Sequence, residues 1–177
     1  MPTVVTDALL EHRRLLGMDK LDERWAGVWH FVNAPKNWHA DLQVELVIVL
    51  ALRAKALGLR ATFENGLFGA DDDWRIPDLL VARPGDDYGD AGRARAELVV
   101  EIRSPGDDSY EKLPFYAERV QEVLILHRDR TPELYRGMDR VTPEEDGSVR
   151  SEALDVTFTP VEGPKLRITW DGGTAEV

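Results

Sequence analysis

Three charged residues in the middle of the chain are placed where they could do chemistry. The apolar run LVVEI (98–102) carries Glu101 near its end, Asp78 follows Pro77 in RIPDLLVA (75–82), and Lys112 comes shortly after. A carboxylate at the inner end of a buried strand loses hydration that the strand does not replace. Glu101 is therefore either a strand-end residue that reaches water or part of a site that supplies a cation. Asp78 also suits a turn leading into a strand after proline, and Lys112 suits a solvated helix.

Composition narrows the chemistry. The chain has 177 residues, 43% hydrophobic and 31% charged, which is enough for one folded domain with its own core. With no cysteine there are no disulfides, thiolate nucleophiles or Cys-based metal sites, so any metal must take oxygen or imidazole ligands. No apolar run approaches the roughly 20 residues that cross a bilayer, and MPTVVTDALLEHRR lacks a leader pattern. The expectation is a cytoplasmic protein without membrane contact. A net charge of −11 opposes broad affinity for nucleic acid but leaves room for a local basic groove or a divalent cation bridging acid to phosphate.

The elements that must position these residues follow from periodicity. A weakly amphipathic helix is expected over 5–18, a strand over 27–33, and a helix over 37–57 with Asn37 as cap and Gly58 as stop. RATFENGLFG (60–69) reads as a strand with an Asn–Gly turn, and WRIPDLLVA (74–82) as a second strand. Residues 83–95 read as a loop, and 96–103 as a strand covered on both faces, hence the middle of a sheet. A helix is expected over 108–120, with Asp108 and Glu111 as a capping pair and Pro114 imposing a kink or a late start. A strand pair follows at 122–127 with 132–136, and short strands are expected near 154–159 and 165–170.

This order of elements resembles the Uma-two restriction-endonuclease family within the PD-(D/E)XK nuclease superfamily. The matching text is RIPDLLVARPG (75–85), ELVVEIRSPGDDSYEKLPFYAERV (97–120) and, more weakly, DERWAGVWHFVN (22–33) with Trp38–His39. PD alone carries little; PD, EXXSP, D, K and Y in that order are specific in combination. The likeness runs over about 5–136, and 137–177 are taken as short strands added to the same single domain.

The resemblance implies an α/β fold with a restriction-endonuclease-like core, a central mixed β-sheet flanked by helices. It implies that Asp78 and Glu101 bind Mg²⁺, or Mn²⁺, with the carbonyl of Ile102 as a further ligand. Mg²⁺ prefers a few hard oxygen ligands plus water and substrate phosphate, so the residue types suit it. Two bare carboxylates about 5 Å apart repel by on the order of 3 kcal/mol at an effective dielectric of 20, so a cation or proton belongs between them. The superfamily's commonest lysine position is occupied by Arg103, which stays charged and can clamp a phosphate but not act as a base. The family pattern instead aligns Lys112, to orient water or stabilise charge, with Arg103 as second candidate. Asp108 would orient Lys112 or cap its helix. Glu23 would supply a third carboxylate, and His39 would contact phosphate or position Glu23. The family's GVPEYW-like stretch is replaced by RVQEVLILH (119–127), a departure in a supporting strand.

The implied activity is hydrolysis of DNA by a metal-activated water, an endodeoxyribonuclease working as a homodimer so that two sites meet two strands. Two rivals stand beside it: a catalytically silent nuclease-fold module that binds DNA or a protein partner, and a metal hydrolase of small phosphoesters. The acid runs 71–73 and 86–90 read as solvated loops, Trp25, Trp29 and Trp38 as packing residues, and His12, His30 and His127 as structural.

Overall fold

The computed structural model describes residues 5–32 and 34–177. Helix α1 (Asp7–Leu15) leads to a hairpin of β1 (Glu23–Trp25) and β2 (Val28–His30), followed by α2 (Asn37–Ala56). Then come β3 (Arg60–Phe63), β4 (Gly66–Ala70), β5 (Asp73–Arg75), β6 (Leu79–Ala82), β7 (Asp87–Tyr88), β8 (Gly92–Arg93) and β9 (Ala96–Ile102). Helix α3 (Leu113–Ala117) precedes β10 (Val120–Leu126), β11 (Pro132–Arg136), β12 (Asp139–Arg140), β13 (Val149–Ser151), β14 (Val156–Val161), β15 (Lys165–Trp170) and β16 (Gly173–Glu176). None of the described helices is long and apolar enough to cross a membrane.

The central sheet runs β12-β11-β10-β9-β6-β3, with β9 and β10 parallel and the other pairs antiparallel. It is the expected mixed sheet, with β9 inside it. Side-chain alternation divides its two faces. Leu79, Val81, Leu98, Val100, Leu124 and Leu126 pack with Leu42, Leu46, Leu50 and Ala54 of α2. The same cluster takes in Val156, Phe158, Leu166 and Ile168 from the C-terminal sheet β13-β14-β15-β16, so residues 137–177 share the core. On the other face, Leu80, Ala82, Val99, Val123 and Ile125 pack with Leu67 of β4 and with Leu113, Phe115 and Tyr116 of α3.

Several expected elements are cut differently. The strand over 27–33 is the second arm of the β1-β2 hairpin, which turns at Ala26 (φ 46°) and Gly27 (φ 87°), and its last residue, Asn33, lies outside the described residues. Positive φ at both turn positions gives the twist that a two-residue hairpin needs, and only glycine adopts it without strain. Residues 60–69 form no hairpin: β3 pairs with β6, whereas β4 pairs with β5 in a separate sheet, β2-β1-β5-β4-β8-β7. The strand over 74–82 is likewise broken at Ile76–Asp78, where the chain passes from one sheet to the other. The N-cap of α2 is Lys36, and Asn37 already lies inside the helix. Pro114 explains the shortness of α3: proline is tolerated in the first turn, so the helix starts beside it.

The C-terminal sheet is tied to the central one by a fully buried carboxylate. Glu122 of β10 accepts hydrogen bonds from Arg136 Nε (3.0 Å), Ser151 Oγ (2.5 Å) and the amides of Glu152 (3.0 Å) and Ala153 (3.2 Å). Removing the acceptor strands four donors, one of them an arginine. Glu122→Ala is expected to lower stability by about 3–5 kcal/mol, read from urea unfolding. A loss below about 1 kcal/mol would mean that the C-terminal sheet is held by its apolar contacts alone.

Candidate active site

The register of the central sheet sets the first pair. Leu79 lies opposite Val100 and Leu80 opposite Val99 in the β6-β9 pair. Continued by one residue, that antiparallel register brings Asp78 across from Glu101, on the face shared by Leu80 and Val99. Asp78 sits in the sheet-switching segment, free of strand pairing, and its Oδ2 accepts the amide of Ile102 at 2.6 Å. Like charges opposed across a strand pair are destabilising, so this placement requires compensation.

Compensation comes from the crossover between the parallel strands β9 and β10. Parallel neighbours cannot be joined by a tight hairpin, and the connecting segment passes over the end of β9 carrying Lys112 and α3. Lys112 Nζ donates to Glu101 Oε1 at 3.2 Å and to Glu23 Oε1 at 2.8 Å. One turn later, Tyr116 OH donates to Glu101 Oε1 at 2.5 Å. Glu23, 1% exposed on β1, is held by the Ile76 amide (2.7 Å) and the Trp25 indole N–H (2.8 Å). Both of its oxygens are engaged, so its structural part is to fix the ammonium.

Helix α2 supplies the remaining wall. His39 Nε2 lies 3.4 Å from Asp78 Oδ2, and Gln43, one turn on, donates to the Asp78 carbonyl at 2.9 Å. His39 thus positions Asp78 rather than Glu23, the difference arising because the first turn of α2 meets the segment entering β6. Its buried Nδ1 has no hydrogen-bond partner among the described residues.

The protonation energetics follow the burial. Burial raises the Glu101 carboxyl to about 7 despite the opposing Lys112 charge, with Asp78 and Glu23 adding to the rise and the Tyr116 hydrogen bond opposing it. For Lys112, burial works against the charged form, but Glu101 and Glu23 outweigh it and hold the ammonium above its ordinary value. His39 is also raised: burial lowers it, while Asp78 and then the Ile102 carbonyl more than offset that.

Glu23, His39, Gln43, Asp78, Glu101 and Lys112 all line one open cleft of about 340 Å³. Among the described residues no three His, Asp or Glu side chains form a ready-made metal cage. What the cleft offers is two facing carboxylates. Asp78 Oδ1 makes no hydrogen bond among the described residues, and Glu101 Oε2 meets only Lys112, at 3.5 Å.

Asp108 lines the same cleft without touching the Lys112 ammonium, and Arg103 is placed apart. The Asp108 carboxylate faces His30 Nδ1 at 3.8 Å, and only its carbonyl reaches the start of the crossover turn, accepting the amides of Glu111 and Lys112. The turn carboxylate is instead Asp107, which takes the Ser109 amide and hydroxyl and the Ser104 amide. Arg103 lies over the Tyr110 ring, 4.9 Å from its centroid, and lines a neighbouring groove with His127 and Arg128. Tyr116, Trp25 and Gln43 are site residues that sequence reasoning did not assign. Tyr116 had a signal, one helical turn after Lys112; the other two depend on contacts across the fold.

The family profile described as "Putative restriction endonuclease" (Uma2) matches residues 11–159. No curated protein matches the chain. Among solved structures, a "putative nuclease belonging to DUF820" from Anabaena variabilis ATCC 29413 is similar, at 20% sequence identity and a TM-score of 0.61, covering 75% of this chain and 82% of that one. That likeness is one of fold. Because the profile spans well over half the sequence, from α1 to β14, the chain belongs to the Uma2 family.

Proposed function

We propose that the protein is a metal-dependent endonuclease that hydrolyses DNA phosphodiesters, with Asp78, Glu101 and the Ile102 carbonyl holding Mg²⁺ or Mn²⁺. The observation that carries this reading is the position of Asp78, one residue before the β6-β9 ladder begins and opposite Glu101 in the continued register, in a cleft where Glu23, Asp78 and Glu101 face a single lysine. The donor set suits a hard cation: two carboxylates with oxygens to spare, and room for the waters that Mg²⁺ retains. The Glu101 carboxyl, raised to about 7 first by burial and then by Asp78 and Glu23 against the Lys112 charge, supports it, since a bound cation would favour the ionised form.

When bound, the metal would polarise the scissile phosphate and acidify water at this position. The protein's own groups do the rest. Lys112, held above its ordinary value, stays protonated near neutrality and so stabilises charge on the phosphate rather than accepting a proton. Glu23 and Glu101 fix its direction, and Tyr116 and Trp25 fix theirs. His39 and Gln43 hold Asp78 from the side of α2.

Supercoiled plasmid incubated with Mg²⁺ or Mn²⁺ is expected to be nicked, with chelator abolishing the reaction and Asp78→Asn reducing it by about 100-fold or more. Cleavage of a small phosphodiester with intact plasmid would sink the DNA assignment, and inertness toward both would favour the silent module.

A second test reads stability instead of turnover. Glu101 has a folded value of about 7, above the ordinary carboxylate value, so its stabilising contribution is lost as pH rises through about 7. A divalent cation binding the ionised pair offsets that loss. Mg²⁺ or Mn²⁺ should therefore raise the melting temperature more at pH 8 than at pH 6, and not at all in Asp78→Asn. An equal shift at both pH values would argue against binding at this pair.

Tyr116→Phe removes a hydrogen bond that lowers the Glu101 value. The acid limb of the pH–rate profile should move to higher pH, while the plateau rate stays within about tenfold of wild type. An unchanged limb would assign Tyr116 to packing alone.

A further inference from the structure

The long helix α2 carries apolar residues on two opposite sides. Leu42, Leu46, Leu50 and Ala54 fill the core, yet Val44, Ile48 and Leu52 on the opposite side are 59%, 58% and 69% exposed. Spaced four residues apart, these three form a continuous stripe. A row of exposed apolar side chains along a helix is ordinarily covered by a partner.

We propose that this outer face of α2 is the seam of a two-fold homodimer, packed antiparallel against α2 of a second copy with the axis at Ile48. The sequence around Ile48 is self-complementary in that arrangement and in no parallel one. Val44 and Leu52 each stand four residues from Ile48, and Asp41 and Lys55 each stand seven, on opposite sides. An antiparallel pair about Ile48 sets Val44 against Leu52 and Asp41 against Lys55 at both ends, the reciprocity that a two-fold interface demands. A parallel pair would set Asp41 against Asp41. Both residues are exposed, and neither takes part in an ion pair among the described residues.

A nucleic-acid partner does not suit this face, because its centre is apolar and Asp41 and Glu45 are exposed along it. The neighbouring strand β3 is the free edge of the central sheet and carries Phe63, 57% exposed, which extends the apolar surface beside the helix. His39 and Gln43 lie near one end of the same helix. The proposed seam therefore puts the two clefts at its opposite ends, with the two copies of His39 about 27 Å apart along the helix axes. The proposal holds whether or not the cleft cuts DNA.

Sedimentation over a concentration series tests it. Wild type should run as a dimer and Ile48→Asp as a monomer that still unfolds in one cooperative transition, since Ile48 is exposed on the monomer. Asp41→Lys and Lys55→Asp should each weaken the dimer roughly tenfold, and the two together should restore it. A wild type that stays monomeric at roughly 100 μM would overturn the proposal, as would a dimer that survives Ile48→Asp. A double exchange no tighter than either single change would overturn the antiparallel register.

Discussion

The Lys112 ammonium stands between Glu23 on β1 and Glu101 on β9, at 2.8 and 3.2 Å, and so links two separate sheets through one buried charge. An unpaired carboxylate at either position would lose its hydration without replacement. The hairpin that carries Glu23, the crossover that carries Lys112 and the strand that carries Glu101 are therefore bound to one another by electrostatics as well as by packing. Tyr116 and Trp25 complete the arrangement by directing the carboxylate oxygens.

That linkage still leaves the cleft short of positive charge, and the shortage is what gives the site chemical meaning. One lysine faces three carboxylates, and burial, with Asp78 and Glu23 adding to it, raises the Glu101 carboxyl to about 7. A divalent cation bound at the ionised pair would balance that charge, which is the ground of the proposed metal site. The overall charge of −11 points the same way, since an acidic protein approaching a phosphate backbone needs a bridging cation where it touches it.

Much of this was legible in the sequence, and what was hidden has a common physical origin. The strand ending on Glu101 and the long helix α2 announce themselves through uninterrupted apolar runs and 3.6-residue spacing, because burial on one or both faces dictates those patterns. The PD, E and K order likewise carried Asp78, Glu101 and Lys112 to one cleft. Local pattern could not show that Ile76–Asp78 is a passage between sheets, because strand partners are set by contacts far along the chain. The same holds for Trp25 donating to Glu23, and for His39 meeting Asp78 instead of Glu23. Arg103 follows the last residue of β9, and its guanidinium lies over the Tyr110 ring in the neighbouring groove, a placement set by contacts with the crossover rather than by the strand.

The most direct measurement of the central claim is a calorimetric titration of the wild-type protein with Mn²⁺, alongside Asp78→Asn and Glu101→Gln. The account predicts a saturable site in the wild type, with proton release near neutral pH, and its loss in both variants. Absence of binding by the wild type, or binding that survives both substitutions, would contradict it.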